Sequence, residues 1–212
     1  EDDAMGFCYI NNAAVAAQTV LDDSSNTVES ALIFDWDVHH GNGTQDIFYT
    51  DSDVLYASTH EEGLYPGTGK ISETGTGGAD GTTLNVPLPA GAGDADYLAV
   101  MESLLRPVTE AFDPDVFIVS AGFDAHRHDP ISRMRVSTEG YALLTERVRT
   151  LADDVDAALA FVLEGGYGLD TLAEGVSIVH ETFDGRDPME LDDSMQDSTT
   201  PLIQSVKQAL KL

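Results

Sequence analysis

The sequence predicts an α/β domain with a doubly wound, mostly parallel sheet, and three observations carry that expectation. Short apolar runs at 29–38, 54–59, 116–120 and 157–163 alternate with segments of helical period. The runs are apolar at successive positions, as expected for strands covered on both faces. Three of them end in acids, histidines or glycines, which is where the ligand crevice of an open α/β sheet lies.

Each element follows from local pattern. Residues 10–21 are rich in Ala and Val at helical spacing, and Asp22 to Asn26 stop that helix. The runs ESALIFDWDV (29–38) and 54–59 read as strands. Gly, Thr and Ser dominate 66–83, a loop long enough to suggest a functional role. Residues 94–112 carry a helical period with Asp94 as the expected cap, VFIVS (116–120) is a strand, and 137–152 is a helix opened by Ser137. AALAFVL (157–163) reads as another buried strand. Helices at 169–183 and 200–211 follow, separated by an acidic loop around Asp192 and Asp193. Neither a repeat nor an interdomain linker interrupts the pattern, so 1–212 is read as a single domain.

Composition excludes several classes of function. The 212 residues hold 38 acidic and 10 basic side chains, a formal charge of -28, and no stretch offers the basic face that nucleic-acid binding requires. Hydrophobic residues make up 42%, enough for a packed core, so the acidity is not a signature of disorder. The acids are scattered, which suits a surface adapted to concentrated salt, where the Debye length falls to about 3 Å at 1 M, and a halophilic origin is expected. One cysteine, Cys8, excludes an internal disulfide, fits a reducing cytoplasmic setting and is expected to be a buried small hydrophobe. No apolar run approaches a membrane span. The chain begins at Glu1 without a signal-type segment and reads as part of something longer.

The chemistry gathers at three strand ends. In Asp35-Trp36-Asp37-Val38-His39-His40-Gly41, extended spacing puts Asp37 and His39 on one face, with Trp36, Val38 and His40 on the other. Asp124 emerges just after the run ending at Ser120. Glu164-Gly165-Gly166-Tyr167 lets the backbone pass close to a ligand and sets a phenol beyond it. Two carboxylates and one imidazole leave coordination positions open, the arrangement of catalytic zinc, and Tyr167 would donate to a developing oxyanion. His60, His126 and His128 read as structural histidines. Gly67-Thr68-Gly69-Lys70 lacks the flanking residues of a phosphate loop, and the sequence has no nucleophile elbow.

The strings AMGFCYINN (4–12), DWDVHHGNGTQ (35–45), YPGTG (65–69), SAGFDAH (120–126) and EGGY (164–167) resemble the zinc-dependent histone deacetylase family. The resemblance is nearest its class II branch and the related acetylpolyamine and acetoin-utilisation proteins. It implies an arginase/deacetylase-like three-layer fold, lacking its N-terminal part. It further implies a Zn2+ ion on Asp37, His39 and Asp124, with Tyr167 assisting metal-activated water attack on an acetyl-lysine amide. Gly6, Phe7, Tyr65 and Gly166 match the substrate channel, and Asp35 the acid that orients a catalytic histidine. Asp35, Asp37, His39, Ser58 and Thr59 match one structural K+ site, and Phe48, Asp51 and Val54 a second.

One departure bears on activity. The family's general acid-base histidine pair lies just upstream of AMGFC, before Glu1, and His39-His40 does not replace it because His39 is assigned to the metal. The expected substrate is an acetylated lysine in a protein or a small acetylated amine such as an acetylpolyamine. A metal-holding module without catalysis is the non-enzymatic alternative. A manganese ureohydrolase is a further alternative, disfavoured because the second strand end offers only Asp124 and no additional carboxylate.

Overall fold

The computed structural model describes residues 4–25, 27–191 and 194–212. Asn26 and the acidic loop expected around Asp192 and Asp193 therefore lie outside the described residues. The elements are α1 (Asn12–Asp22), β1 (Ala31–Asp35), α2 (Asn42–Phe48), β2 (Val54–Glu61), β3 (Thr83–Leu88), α3 (Asp94–Val100), a π-helical stretch (Met101–Leu105), α4 (Arg106–Phe112), β4 (Val116–Ala121), α5 (Thr138–Asp154), β5 (Ala158–Leu163), α6 (Leu169–Phe183) and α7 (Thr199–Leu210).

Among the described residues the strands form one sheet in the order β3-β2-β1-β4-β5, every pairing parallel. Asp35 stands level with Ser58 of β2 and Ser120 of β4, so the chemical ends of the strands share one edge. The outward winding from β1 in both directions is the doubly wound arrangement, and its crevice opens at that carboxyl edge.

Both sheet faces are covered. Ala13, Ala14 and Ala17 of α1 and Phe48 of α2 pack on Ile33, Tyr56 and Ile118, the small alanines allowing close approach. On the other face Leu32, Phe34, Phe117 and Val119 meet Leu104, Tyr141, Leu144, Val148 and Val206. Burying each large side chain contributes roughly 1.5–3 kcal/mol. Asn11 caps α1 by accepting from the Ala14 amide at 2.9 Å, and Ser137 caps α5 by accepting from Gly140 at 2.9 Å.

Several expectations are corrected. The span 94–112 is not one α-helix: the ladder passes through a π-helical stretch just before Pro107, which has no N–H to give. Asp94 does not cap its own helix; its carboxylate accepts from the Ser137 amide and hydroxyl at 2.8 and 2.7 Å, while Asp96 accepts from the Gly93 amide at 2.9 Å. The 157–163 run is only partly covered, because β5 pairs with β4 alone among the described residues. Cys8 is exposed, in a turn closed by its amide on the Met5 carbonyl at 3.0 Å. Neither α2 nor β3 was legible; β3 contains Pro87, tolerated because β3 lies at the sheet edge.

The long loop is tied down by two neutral imidazoles. His40 Nε2 donates to Gln45 Oε1 at 3.0 Å and its Nδ1 accepts from the Thr68 hydroxyl at 2.8 Å. His60 Nε2 donates to the Gly69 carbonyl at 3.1 Å, and its Nδ1 accepts from Ser58 at 3.0 Å. The rings lie 4.9 Å apart. Gly69, at φ +83°, passes so close to both rings that a side chain there would overlap them.

Burial, reinforced by the neighbouring His40, pushes the His60 pKa from 6.5 down to about 3. Between those values the unfolded chain binds a proton that the folded chain refuses. This contribution to stability is complete above pH 6.5 and declines as pH falls towards 3. His60→Gln should therefore show a shallower loss of melting temperature between pH 7 and pH 4 than wild type in parallel thermal melts.

Candidate metal centre

Three polypeptide turns converge at the carboxyl edge. Beyond β1 the chain bends at once and does not stay extended: the Asp37 amide donates to Asp35 Oδ1 at 3.1 Å, and the His39 amide to Asp37 Oδ1 at 2.8 Å. These successive Asx turns bring Asp37 and His39 to the same side by a route other than strand alternation. The Val38 amide reaches Asp124 Oδ1 at 2.9 Å, and the Gly165 amide reaches Asp37 Oδ2 at 3.0 Å. The turns after β1, β4 and β5 are thus stitched to one another through the two carboxylates. Trp36, Val38 and His40 are buried away from the cluster, as the sequence predicts.

One ligand atom from each of Asp37, His39 and Asp124 lies within 4.8 Å of the others. His39 Nδ1 is 3.0 Å from Asp37 Oδ1 and 3.1 Å from Asp124 Oδ2. A single ring N–H cannot serve both oxygens well, and Asp124 Oδ2, on a residue 0% exposed, has no satisfied hydrogen bond. A methyl group on Gly165 would overlap Asp37 Oδ2 and Asp124 Oδ2, and one on Gly122 would overlap Asp37. The two glycines therefore leave room for the carboxylates to converge. The orphaned oxygen, the imidazole between two acids and the glycine cradle all fit a divalent cation.

The electrostatics agree. Burial lowers the His39 pKa, but the close carboxylates of Asp124 and Asp37 outweigh it and carry the ring up to about 10. Burial and the charge of Asp37 raise Asp124 to about 7, and the same two causes raise Glu164 to about 7. Asp35 is also pushed up, by burial and then by Asp37. Acids crowded at a dry edge hold protons unless a cation replaces them.

The other expected residues fall around this cluster. Tyr167 is 42% exposed, with its ring centroid 6.3 Å from that of Phe7; Tyr65 sits edge-on to His39 at 6.4 Å. The Gly6 amide donates to the Tyr65 hydroxyl at 3.4 Å, joining the two sides, although Phe7 itself is 89% exposed. Gly166, at φ +133°, packs against Phe123 and Leu172 where a side chain would be crowded. The Asp35 carboxylate meets the Tyr56 hydroxyl at 3.0 Å, so its side-chain partner here is a tyrosine. Asp35, Ser58 and Thr59 are buried together, and the Thr59 hydroxyl donates to the Asp35 carbonyl at 3.4 Å. Phe48, Asp51 and Val54 meet across the turn from α2 to β2, with the Asp51 amide on the Phe48 carbonyl at 3.0 Å. His60 and His126 are buried in hydrogen bonds to structural partners, His126 to Thr138 at 3.2 Å.

Sequence reasoning missed Tyr56 and Asp129. Asp129 is buried and accepts from the Tyr167 and Gly168 amides, 38 and 39 residues away. Its Asp-Pro dipeptide signals a turn, but nothing local reveals so distant a partner.

A parallel α/β sheet with an Asp-His-Asp cluster at its carboxyl edge defines an α/β protein with a candidate metal site in its crevice. Residues 1–183 match the histone deacetylase domain, and the chain belongs to that family. It is 42% identical over 186 residues to "Histone deacetylase 14, chloroplastic" of Arabidopsis thaliana, covering 87% of this chain and 44% of that protein. A "Probable deacetylase" of Archaeoglobus fulgidus is 45% identical over 166 residues, 78% of this chain and 45% of the relative. Among solved structures, that of the histone deacetylase Clr3 superposes with a TM-score of 0.89 at 36% identity, covering 95% of this chain and 34% of that one. The HDA15 HD domain gives the same TM-score at 38% identity, covering 98% and 56%. The chain spans less than half the length of these curated relatives. Among the described residues no helix is long and apolar enough to cross a membrane.

Removing the cradle should cost metal before it costs fold. Gly165→Ala is expected to weaken zinc affinity by roughly 10- to 100-fold, the usual effect of disturbing the groups around metal ligands, in competition with a chromophoric chelator. Acidification from pH 8 to pH 6 should weaken zinc binding in the wild type too, because the ion must displace protons from His39 and, near pH 7, from Asp124.

Proposed function

We propose that this chain carries the metal centre of a zinc-dependent amidohydrolase that removes acetyl groups from acetylated lysine. The observation that carries the reading is the convergence of Asp37, His39 and Asp124 at the edge of the sheet, near enough to Tyr167 that the charges of Asp124 and Asp37 act on its phenol. Membership of the histone deacetylase family supports it.

Asp37, His39 and Asp124 would hold the ion through two oxygens and one nitrogen, a donor set that suits zinc and leaves a position open. A divalent ion there supplies Lewis acidity towards a carbonyl oxygen and acidifies a water. The remaining work falls to the chain. Phe7 and Tyr65 flank the approach and offer aromatic surface to an alkyl stem. Burial, with the charges of Asp124 and Asp37, lifts the Tyr167 phenol to about 12, so at neutral pH it keeps its proton. It can therefore donate a hydrogen bond to the oxygen that gains charge when the acetamide carbonyl becomes tetrahedral.

Four of the six histidines are not available for proton transfer to the leaving amine, with His39 assigned to the ion and His40, His60 and His126 engaged elsewhere. His40, His60 and His126 have ring nitrogens bonded to Gln45 and Thr68, Ser58 and Gly69, and Thr138. Turnover by this chain alone should be low, since general acid-base help is worth about 10²- to 10⁴-fold. The buried oxygens of Asp35, Ser58 and Thr59 support a structural monovalent cation beside the centre, as the same reading proposes, with Phe48, Asp51 and Val54 for a second. The reading keeps the chain in the cytoplasm.

The test is hydrolysis of a fluorogenic acetyl-lysine peptide and of an acetylated polyamine by the zinc-loaded chain, with and without chelator. Slow, chelator-sensitive release of acetate from the peptide is expected. Tyr167→Phe should lower kcat by roughly 10²- to 10³-fold at unchanged zinc affinity. Undiminished zinc binding with no acetate from either substrate would favour a metal-holding module, and preference for the polyamine would shift the substrate class.

A further inference from the structure

We infer that Asp129 is a positioning residue for Tyr167, an assignment that rests on the proposed role of that phenol. Asp129 lies in the β4–α5 loop, the same loop that delivers Asp124, and it is buried. Its Oδ2 accepts from the Tyr167 amide at 2.7 Å and from the Gly168 amide at 3.3 Å, while Oδ1 accepts from Ile131 at 3.0 Å. Its own amide donates to the His126 carbonyl at 2.8 Å, closing a tight turn. A single carboxylate thus clamps the two residues that lead from β5 into α6.

The clamp matters because the other bonds on this segment flank Tyr167 without reaching it: Gly165 is held by Asp37 and Phe123, and the Gly168 carbonyl by Leu172 and Thr171. Gly165 and Gly166 immediately precede Tyr167, and Gly166 adopts φ +133°, a conformation in which glycine gives the chain freedom. The Tyr167 ring is 42% exposed and meets Phe7, itself exposed. Packing alone does not determine where the phenol points, whereas its backbone is tied to a group that is anchored beside a ligand. On the other side of the same loop, the Ser132 hydroxyl donates to the Asp124 carbonyl at 2.6 Å. The loop therefore sets the distance between ligand and phenol, and a loosened phenol loses its alignment with the charge it serves. A carboxylate at the start of the 15-residue α6 also stabilises that helix end. The experiment must separate the two roles.

Asp129→Ala and Asp129→Asn are compared with wild type in the zinc-loaded 212-residue chain by residue-resolved amide exchange, zinc affinity and kcat and KM on the acetyl-lysine peptide. Positioning predicts that Asp129→Ala speeds exchange at Tyr167 and Gly168 at least tenfold and lowers kcat at least tenfold. KM, zinc affinity and core protection should stay within about twofold. Asp129→Asn, which keeps an acceptor oxygen, should recover most of both losses. Unchanged Tyr167 exchange in Asp129→Ala would overturn the assignment, as would loss of core protection throughout the chain. A fall in KM and zinc affinity in step with kcat would overturn it too. If wild type shows no turnover, the proposed function fails on its own, and the exchange contrast between the Ala and Asn variants still decides whether Asp129 holds Tyr167.

Discussion

The convergence of Asp37 and Asp124 on one imidazole nitrogen is the constraint around which the carboxyl edge is arranged. Two carboxylates in a nearly dry setting repel each other and lose hydration, a combination that folding opposes unless positive charge offsets it. Without an ion, His39 supplies that charge as an imidazolium and leaves Asp124 Oδ2 unsatisfied. A divalent cation would relieve both problems at once. The surrounding backbone serves the same end: the Val38, His39 and Gly165 amides donate to these carboxylates, and Gly122 and Gly165 contribute no side chain that would separate them.

The second tier of the structure holds loops to this edge. His40 and His60, both neutral, tie the glycine-rich loop that carries Tyr65, and Asp129 ties the segment that carries Tyr167. Each uses one buried polar group to fix a stretch whose own residues are too small or too exposed to fix themselves. This division explains how a phenol and an aromatic wall can stand at an open edge and still face the metal ligands. It also separates the acids by role. Of 38 acidic residues, Asp37 and Asp124 are ligand candidates, Asp35, Asp94, Asp96 and Asp129 are buried acceptors, and many of the rest lie on the surface, where salt screens them.

The sheet and the clustering of Asp37, His39 and Asp124 were legible because both follow from short-range pattern. Apolar runs marked β1, β2 and β4, and acids directly after them marked the crevice. What escaped depended on distant partners or on neighbours. β3 was hidden by Pro87, which only an edge position excuses. The run at 157–163 looked buried because its composition is apolar, yet coverage depends on what packs beside it, and β5 is half open. Asp94 looked like a cap because it starts a helix, but the tertiary fold turns it to Ser137. For Asp129 the sequence signals only a turn and for Tyr56 only a strand, since their meaning lies in contacts made 38 and 21 positions away. Even the correct pairing of Asp37 with His39 arises from consecutive Asx turns, where simple strand alternation was expected.

The central claim is that Asp37, His39 and Asp124 form one metal site. Anomalous diffraction at the zinc edge, from crystals of the zinc-saturated chain, tests it most directly. The account predicts a peak about 2.0–2.2 Å from His39 Nδ1 and from one oxygen each of Asp37 and Asp124. Zinc-saturated crystals with no peak within reach of these three atoms, and the imidazole still between the two carboxylates, would contradict it.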